Sequence, residues 1–180
     1  MKPIENPLSN RIVQAGEDSP FLHHFFDRAA RLWPERTAVD VPPGIGRPER
    51  RLITYRELEH QANGLACFLR AFVTGECVVA ILLPRCSEHL YSSQLAVLKA
   101  GAAYTCIDPA FPDEQLRDIL EDSEAVALLS NDEGLTCAGR SGFPRERVFD
   151  VSELISQAGS PIDVPPVPSW LLPRDRKSVV

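Results

Sequence analysis

The chain has 180 residues, a net charge of −6, 44% hydrophobic residues and 24% charged residues. These values fit one soluble unit of roughly 100–200 residues. The acidic balance argues against a nucleic-acid partner, which attracts basic faces, and no apolar run nears the roughly 20 residues that span a bilayer. The N-terminus, MKPIENPLSNRIVQAGEDSP, has no apolar segment of signal type, so a cytoplasmic location is expected.

Residues 1–18 are polar and aperiodic and are expected to be flexible. A first helix is expected with Ser19 as N-cap and Pro20 at N1. Phe21, Phe25, Ala29, Leu32 and Trp33 follow at helical spacing and read as a core-facing stripe. Trp33-Pro34 ends the helix, because the residue before proline is pushed out of the α region. Thr37 to Val41 and Arg51 to Thr54 read as two strands of a hairpin. The loop between them, with PPGIGRPE, lacks the spacing of a nucleotide-binding loop.

Thr54 and Glu57 have the spacing of a capping box, in which hydroxyl and carboxylate each satisfy an orphan backbone N–H. Leu58, Ala62, Leu65, Ala66, Leu69 and Phe72 then mark one face of a helix. Cys77 to Leu83 is continuous and apolar, as expected of a central parallel strand covered on both faces. Pro84 ends it, and Ser87 is placed to cap a helix running through Leu90, Leu95 and Leu98 to Gly101. Glycine tolerates the left-handed conformation that closes a helix. Ala103 to Ile107 follows as a buried strand, then Asp108-Pro109 and a bend. Pro112 opens a helix to Asp122 with Leu116, Ile119 and Leu120 inward. Ala125 to Leu129 is a further buried strand. Residues 131–146 read as a loop, Val148 to Asp150 as a short strand and Ser152 to Gln157 as a helical turn. Residues 156–180, with five prolines between Ser160 and Pro173, read as a linker. The alternation predicts an α/β fold with a mostly parallel sheet and helices on both faces, residues 77–83, 103–107 and 125–129 sharing that sheet.

Cys67, Cys77, Cys86, Cys106 and Cys137 form no CxxC pair and read as small buried hydrophobes in a reducing compartment. His23 and His24 are adjacent, so on a helix they point about 100° apart and cannot ligate as an i, i+4 pair does. His60 and His89 are expected on solvated helix faces.

Two stretches carry a family resemblance. Leu98 to Pro112, LKAGAAYTCIDPAFP, resembles a core motif of the adenylate-forming enzymes, in the form found in adenylation domains of non-ribosomal peptide synthetases. Leu52 to Leu69, LITYRELEHQANGLACFL, resembles an earlier motif of the same family. With flanking similarity the resemblance covers residues 21–129. Two places depart from the family pattern: the turn FVTGECV is shorter and less charged, and Glu114 is followed by Gln115 where arginine is common.

The resemblance implies that residues 19–155 are part of an AMP-binding domain, within the N-terminal domain of the adenylate-forming fold. Its parent would convert an amino acid and ATP to aminoacyl adenylate and pyrophosphate, then pass the acyl group to a carrier-protein thiol. ATP and Mg²⁺ are implied for that parent, with phosphopantetheine on the carrier partner, and no cofactor is implied within this chain. The phosphate loop, the metal-binding Glu, the ribose-binding Asp and the catalytic Lys of the family have no counterpart here. No catalytic, cofactor-binding or metal residue is therefore assigned. Asp113-Glu114 and Glu121-Asp122 read as helix-end charges. The alternatives are a fragment of an acyl- or aryl-CoA synthetase, or a non-catalytic remnant that binds a partner protein. The last six residues, Asp175 to Val180, depart from the family and match a translation of a common sequencing adapter. They are expected to be non-native, with the gene continuing.

Overall fold

The computed structural model describes residues 21–44 and 48–157. The expectations for residues 1–18, for Ser19 and Pro20, and for the proline-rich stretch and the last six residues lie outside the described residues. In chain order the elements are α1 Leu22–Leu32, β1 Thr37–Val41, β2 Arg51–Thr54, α2 Tyr55–Leu69, β3 Val78–Leu82, α3 His89–Ala100 and β4 Ala103–Ile107. Then come α4 Asp113–Asp122, β5 Ala127–Ser130, α5 Asp132–Ser141, a 3₁₀ turn at Arg145–Arg147, β6 Val148–Asp150 and α6 Val151–Gln157.

Strands β1 and β2 form the expected antiparallel hairpin. The other four strands form one parallel sheet in the order β4-β3-β5-β6. The chain steps from β3 to one side through α3, then crosses back past β3 through α4. That is a doubly wound arrangement, with its change of direction between β3 and β5. Side chains of a strand alternate between faces, and the two faces carry separate cores. Val79, Ile81, Ala127 and Leu129 pack with Leu65, Leu69, Val97, Ala100 and Val151 from α2, α3 and α6. Ala80, Leu82 and Leu128 pack with Leu116, Leu120 and Ala138 from α4 and α5. Strand β3, expected over residues 77–83 and observed over Val78–Leu82, is interior to the sheet, as its unbroken apolar run requires.

Three expectations are corrected. Helix α1 starts at Leu22 with Phe21 as the N-cap residue, and its apolar stripe does not face the core. Phe25 and Leu32 are 44% and 49% exposed, whereas His23 and Ala30 are buried. Among the described residues strand β4 is an edge strand with Ala103, Tyr104 and Cys106 exposed, not a buried one. Residues 131–146 are not a loop: Asn131 accepts from the Gly134 N–H and opens α5, which closes at Gly142 with φ of 80°.

Candidate functional site

The family-like stretch Leu98 to Pro112 folds as helix, turn, strand, turn. Gly101 sits at φ 95°, and the N–H groups of Gly101 and Ala102 both return to the Val97 carbonyl. Orphan carbonyls at the end of α3 are thereby satisfied. After β4, the Asp108 carboxylate accepts from the Ala110 N–H and lies 3.3 Å from Arg85 Nε. Asp113 and Glu114 then sit in the first turn of α4, where the helix dipole favours negative charge.

Lys99 is the one lysine of this stretch, and it points inward. Its Nζ donates to Asp27 Oδ1 at 2.5 Å and to Asn63 Oδ1 at 2.9 Å, and lies 5.9 Å from the Phe26 ring centre. The Lys99 carbonyl accepts from Arg70. One residue thus joins α1, α2 and α3, which explains why Asp27 rather than Phe25 occupies the inner side of α1. A buried ammonium needs a charged partner, and that partner orients the helix.

The earlier stretch is also structural. Thr54 Oγ1 accepts from the Glu57 N–H at 3.2 Å and Glu57 Oε2 accepts from the Thr54 N–H at 3.0 Å, so the capping box is complete. At the start of α3, Ser87 Oγ accepts from the His89 N–H at 3.3 Å. Glu88 reaches Arg51 at 2.6 Å and His89 Nε2 at 3.4 Å, tying the hairpin to α3. His89 is therefore not on a solvated face, and burial holds its pKa below the usual histidine value, with Glu88 opposing. His60 is half-buried. Cys86 and Cys106 are exposed, unlike the small buried hydrophobes expected, and no disulfide joins any of the five cysteines.

At the change of direction between β3 and β5, open α/β sheets commonly place ligands. Here Ser130 Oγ donates to the Leu82 carbonyl at 2.9 Å. The Ser87 side chain accepts from the His89 N–H and the Asn131 side chain caps α5. A wide apolar concavity lies elsewhere. It is a groove of about 530 Å³ between α1, β1, α2, α3 and β4, lined by Leu22, Phe25, Phe26, Tyr91, Gln94 and Tyr104 among others. Sequence spacing does not reveal it, because helical periodicity alone assigns Phe25 to the core. Among the described residues no group of three or more His, Cys, Asp or Glu could hold a metal ion. The glycine-containing loop PPGIGRPE lacks phosphate-binding spacing, and no other stretch of the sequence has it. No chemical step is assigned to the described residues.

The fold is that of the N-terminal subdomain of adenylate-forming enzymes, as superposition on solved structures shows. Residues 26–168 match the AMP-binding enzyme family, and the chain belongs to that family. It is 38% identical over 141 residues to malpinin synthetase of Mortierella alpina, a match that covers 78% of this chain and 2% of that protein. To tyrocidine synthase 3 of Brevibacillus parabrevis it is 40% identical over 110 residues, covering 61% of this chain and 2% of that protein. Among solved structures, NpsA-ThdA, an artificially fused adenylation–PCP di-domain non-ribosomal peptide synthetase from Klebsiella oxytoca, superposes with a TM-score of 0.65 and 26% identity. It covers 81% of this chain and 25% of that one. The Klebsiella oxytoca NpsA N-terminal subdomain in complex with anthranilyl-AMSN gives a TM-score of 0.62 at 26% identity, covering 81% of this chain and 34% of that one. The chain thus spans a small part of the curated relatives and about a third of the solved subdomain.

Proposed function

We propose that this chain is part of an amino-acid adenylation domain of a non-ribosomal peptide synthetase, and that its own contribution is scaffold. The whole protein would bind an amino acid and ATP. A carboxylate oxygen would attack the α-phosphorus, the bond to the β-phosphate oxygen would break, and pyrophosphate would leave. A phosphopantetheine thiol on a carrier domain would then displace AMP from the aminoacyl adenylate. Mg²⁺ is proposed for the first step, bound by residues outside this chain. Residues 19–155 form the proposed domain portion, in a cytoplasmic protein; no helix among the described residues is long and apolar enough to cross a membrane.

The observation that carries this reading is the AMP-binding match over residues 26–168. The folded geometry of both motifs supports it, and the peptide-synthetase relatives favour it over an acyl- or aryl-CoA synthetase or a binding module. The test is a chimera. Residues 26–157 replace the matched stretch in an adenylation domain of tyrocidine synthase 3, and amino-acid-dependent pyrophosphate exchange is measured. Exchange retained with the host's own amino acid is expected. A folded, soluble chimera without exchange overturns the reading. The 180-residue chain alone is expected to show no exchange, and measurable exchange would overturn its scaffold role.

A further inference from the structure

Helix α2 carries one junction that neither its cap nor its packing explains. Of the chain's asparagines, Asn6, Asn10, Asn63 and Asn131, only Asn63 precedes a glycine. Glycine is a poor residue for a helix interior, yet Gly64 lies within α2, Tyr55–Leu69, and is buried beside Ala62, Leu65 and Ala66. An asparagine followed by glycine is the pair most open to self-attack. The backbone nitrogen of the second residue reaches the side-chain amide carbon of the first, Cγ, and closes a five-membered imide. Glycine has no Cβ to hinder that approach. Two features of the fold oppose it here. The helix ties the Gly64 N–H to the carbonyl four residues back, and a helical ψ of about −42° at Asn63 holds that nitrogen away from Cγ. Asn63 Oδ1 also accepts from Lys99 Nζ at 2.9 Å, and that ammonium is itself held by Asp27, so the Asn63 side chain is not free to turn toward Gly64.

We propose that Asn63-Gly64 is a self-modification site, shut while α2 is folded and reactive whenever α2 opens. In the open chain the Gly64 nitrogen bonds to Asn63 Cγ and the Cγ–Nδ2 bond breaks. Ammonia leaves, taking up the Gly64 amide proton. Water then opens the imide at either carbonyl, leaving aspartate or isoaspartate at position 63. No oxidant, metal or cofactor is needed. Both products strike the Lys99 link. Aspartate sets a second carboxylate beside Lys99, in place of the neutral amide that accepts from it now. Isoaspartate routes the main chain through Cβ, and the added carbon breaks the regular spacing of a buried helix. One opening of α2 is thereby converted into a lasting change at the joint of α1, α2 and α3. The chemistry belongs to this chain alone and is independent of the adenylation reading.

The test is incubation of the 180-residue chain in mild alkali, with and without urea. Trypsin then releases residues 57–70, which hold Asn63, and residues 118–140, which hold Asn131. Mass spectrometry follows the replacement of amide by carboxylate in each peptide. In urea, conversion is expected to be faster in 57–70 than in 118–140, and equal or reversed rates would overturn the proposal. Gly64→Ala is expected to slow conversion in urea, where folding of the variant has no bearing. An unchanged rate would mean that the Gly64 nitrogen is not the attacking group. Without urea, conversion of 57–70 is expected to be at least about tenfold slower, because only the opened fraction reacts. Equal rates in the two conditions would show that α2 does not shut the site. Chain converted in urea and then refolded is expected to melt below chain carried through urea at neutral pH with Asn63 intact. Identical melts would overturn the effect on the Lys99 link.

Discussion

Strands β3 and β4 are neighbours with full five-residue pairing, yet they are buried differently. Val79 to Leu82 are all inaccessible, whereas β4 buries only Ile107 fully. Both segments are apolar or β-branched. The difference is one of neighbours: among the described residues β3 has a strand on each side and helices on both faces, and β4 has one strand and a partly open face. Apolar composition states a requirement for cover, and only the fold shows where that cover is met. The same contrast separates the inward Lys99–Asp27 link of α1 from its outward Phe25.

Side-chain truncation should separate the two strands' surroundings most widely. Leu129→Ala, at a fully buried position of β5 beside β3, should cost about 3 kcal/mol through lost burial and a cavity. Tyr104→Ala on β4 should cost under about 1 kcal/mol, as exposed substitutions do. Urea midpoints of the two variants would check this. Similar shifts would show that the edge is covered after all.

Two glycines of α5 give a second contrast. A Cβ at Gly134 would lie 1.8 Å from Ser130 Oγ and 3.0 Å from the Leu82 carbonyl oxygen, whereas one at Gly139 would meet nothing within 4 Å. Gly139→Ala should therefore stabilise by up to about 1 kcal/mol, the ordinary helix preference. Gly134→Ala should instead destabilise by about 3 kcal/mol, because a short hydroxyl and a strand carbonyl cannot both retreat. Thermal melts of the pair would check the opposite signs. Adding Ser130→Ala should recover part of the Gly134→Ala loss.

Helix α5 also shows where a reading of the sequence stops. DEGLTCAGRS has two glycines and a weak apolar face, Leu135 and Ala138, so periodicity marks nothing. The readable signals are the ends: Asn131 as cap and Gly142 in the left-handed region. By contrast, the capping box at Thr54 and the runs in β3 and β5 are legible, because each is specified by residues close together in sequence. The inward side of α1 is not legible. It is set by Lys99, which lies 72 residues from Asp27 and 36 from Asn63, and spacing within α1 cannot report it. The groove escapes for the same reason.

That long-range link should carry a measurable share of stability. Lys99→Met leaves Asp27 without its ammonium in a site where the carboxylate keeps only partial contact with water. The expected cost is about 2 kcal/mol, below the loss for a fully buried pair because water still reaches Asp27. Lys99→Met with Asp27→Leu should recover most of it, as removal of both charges does in buried pairs. Denaturant midpoints of the single and double variants would decide. A double variant as weak as the single one would mean that Lys99 acts through packing rather than charge.

His23, one turn before Asp27 on the same side of α1, should give the smallest effect. Burial lowers its pKa from 6.5 to about 4; Asp27 opposes the shift, and His24 and Lys99 add to it. Between those values the unfolded chain holds a proton that the folded chain does not, so stability rises with pH across this window. The contribution is complete above about pH 6.5 and is lost as pH falls toward 4. Allowing for solvent screening, the loss between about pH 7 and pH 5.5 should be near 0.5 kcal/mol. His23→Phe should flatten that slope without changing the pH-independent part by more than the Leu129→Ala loss. If the wild-type and His23→Phe slopes coincide, His23 is reached by water in solution, and α1 does not hold its inner side against the body as described.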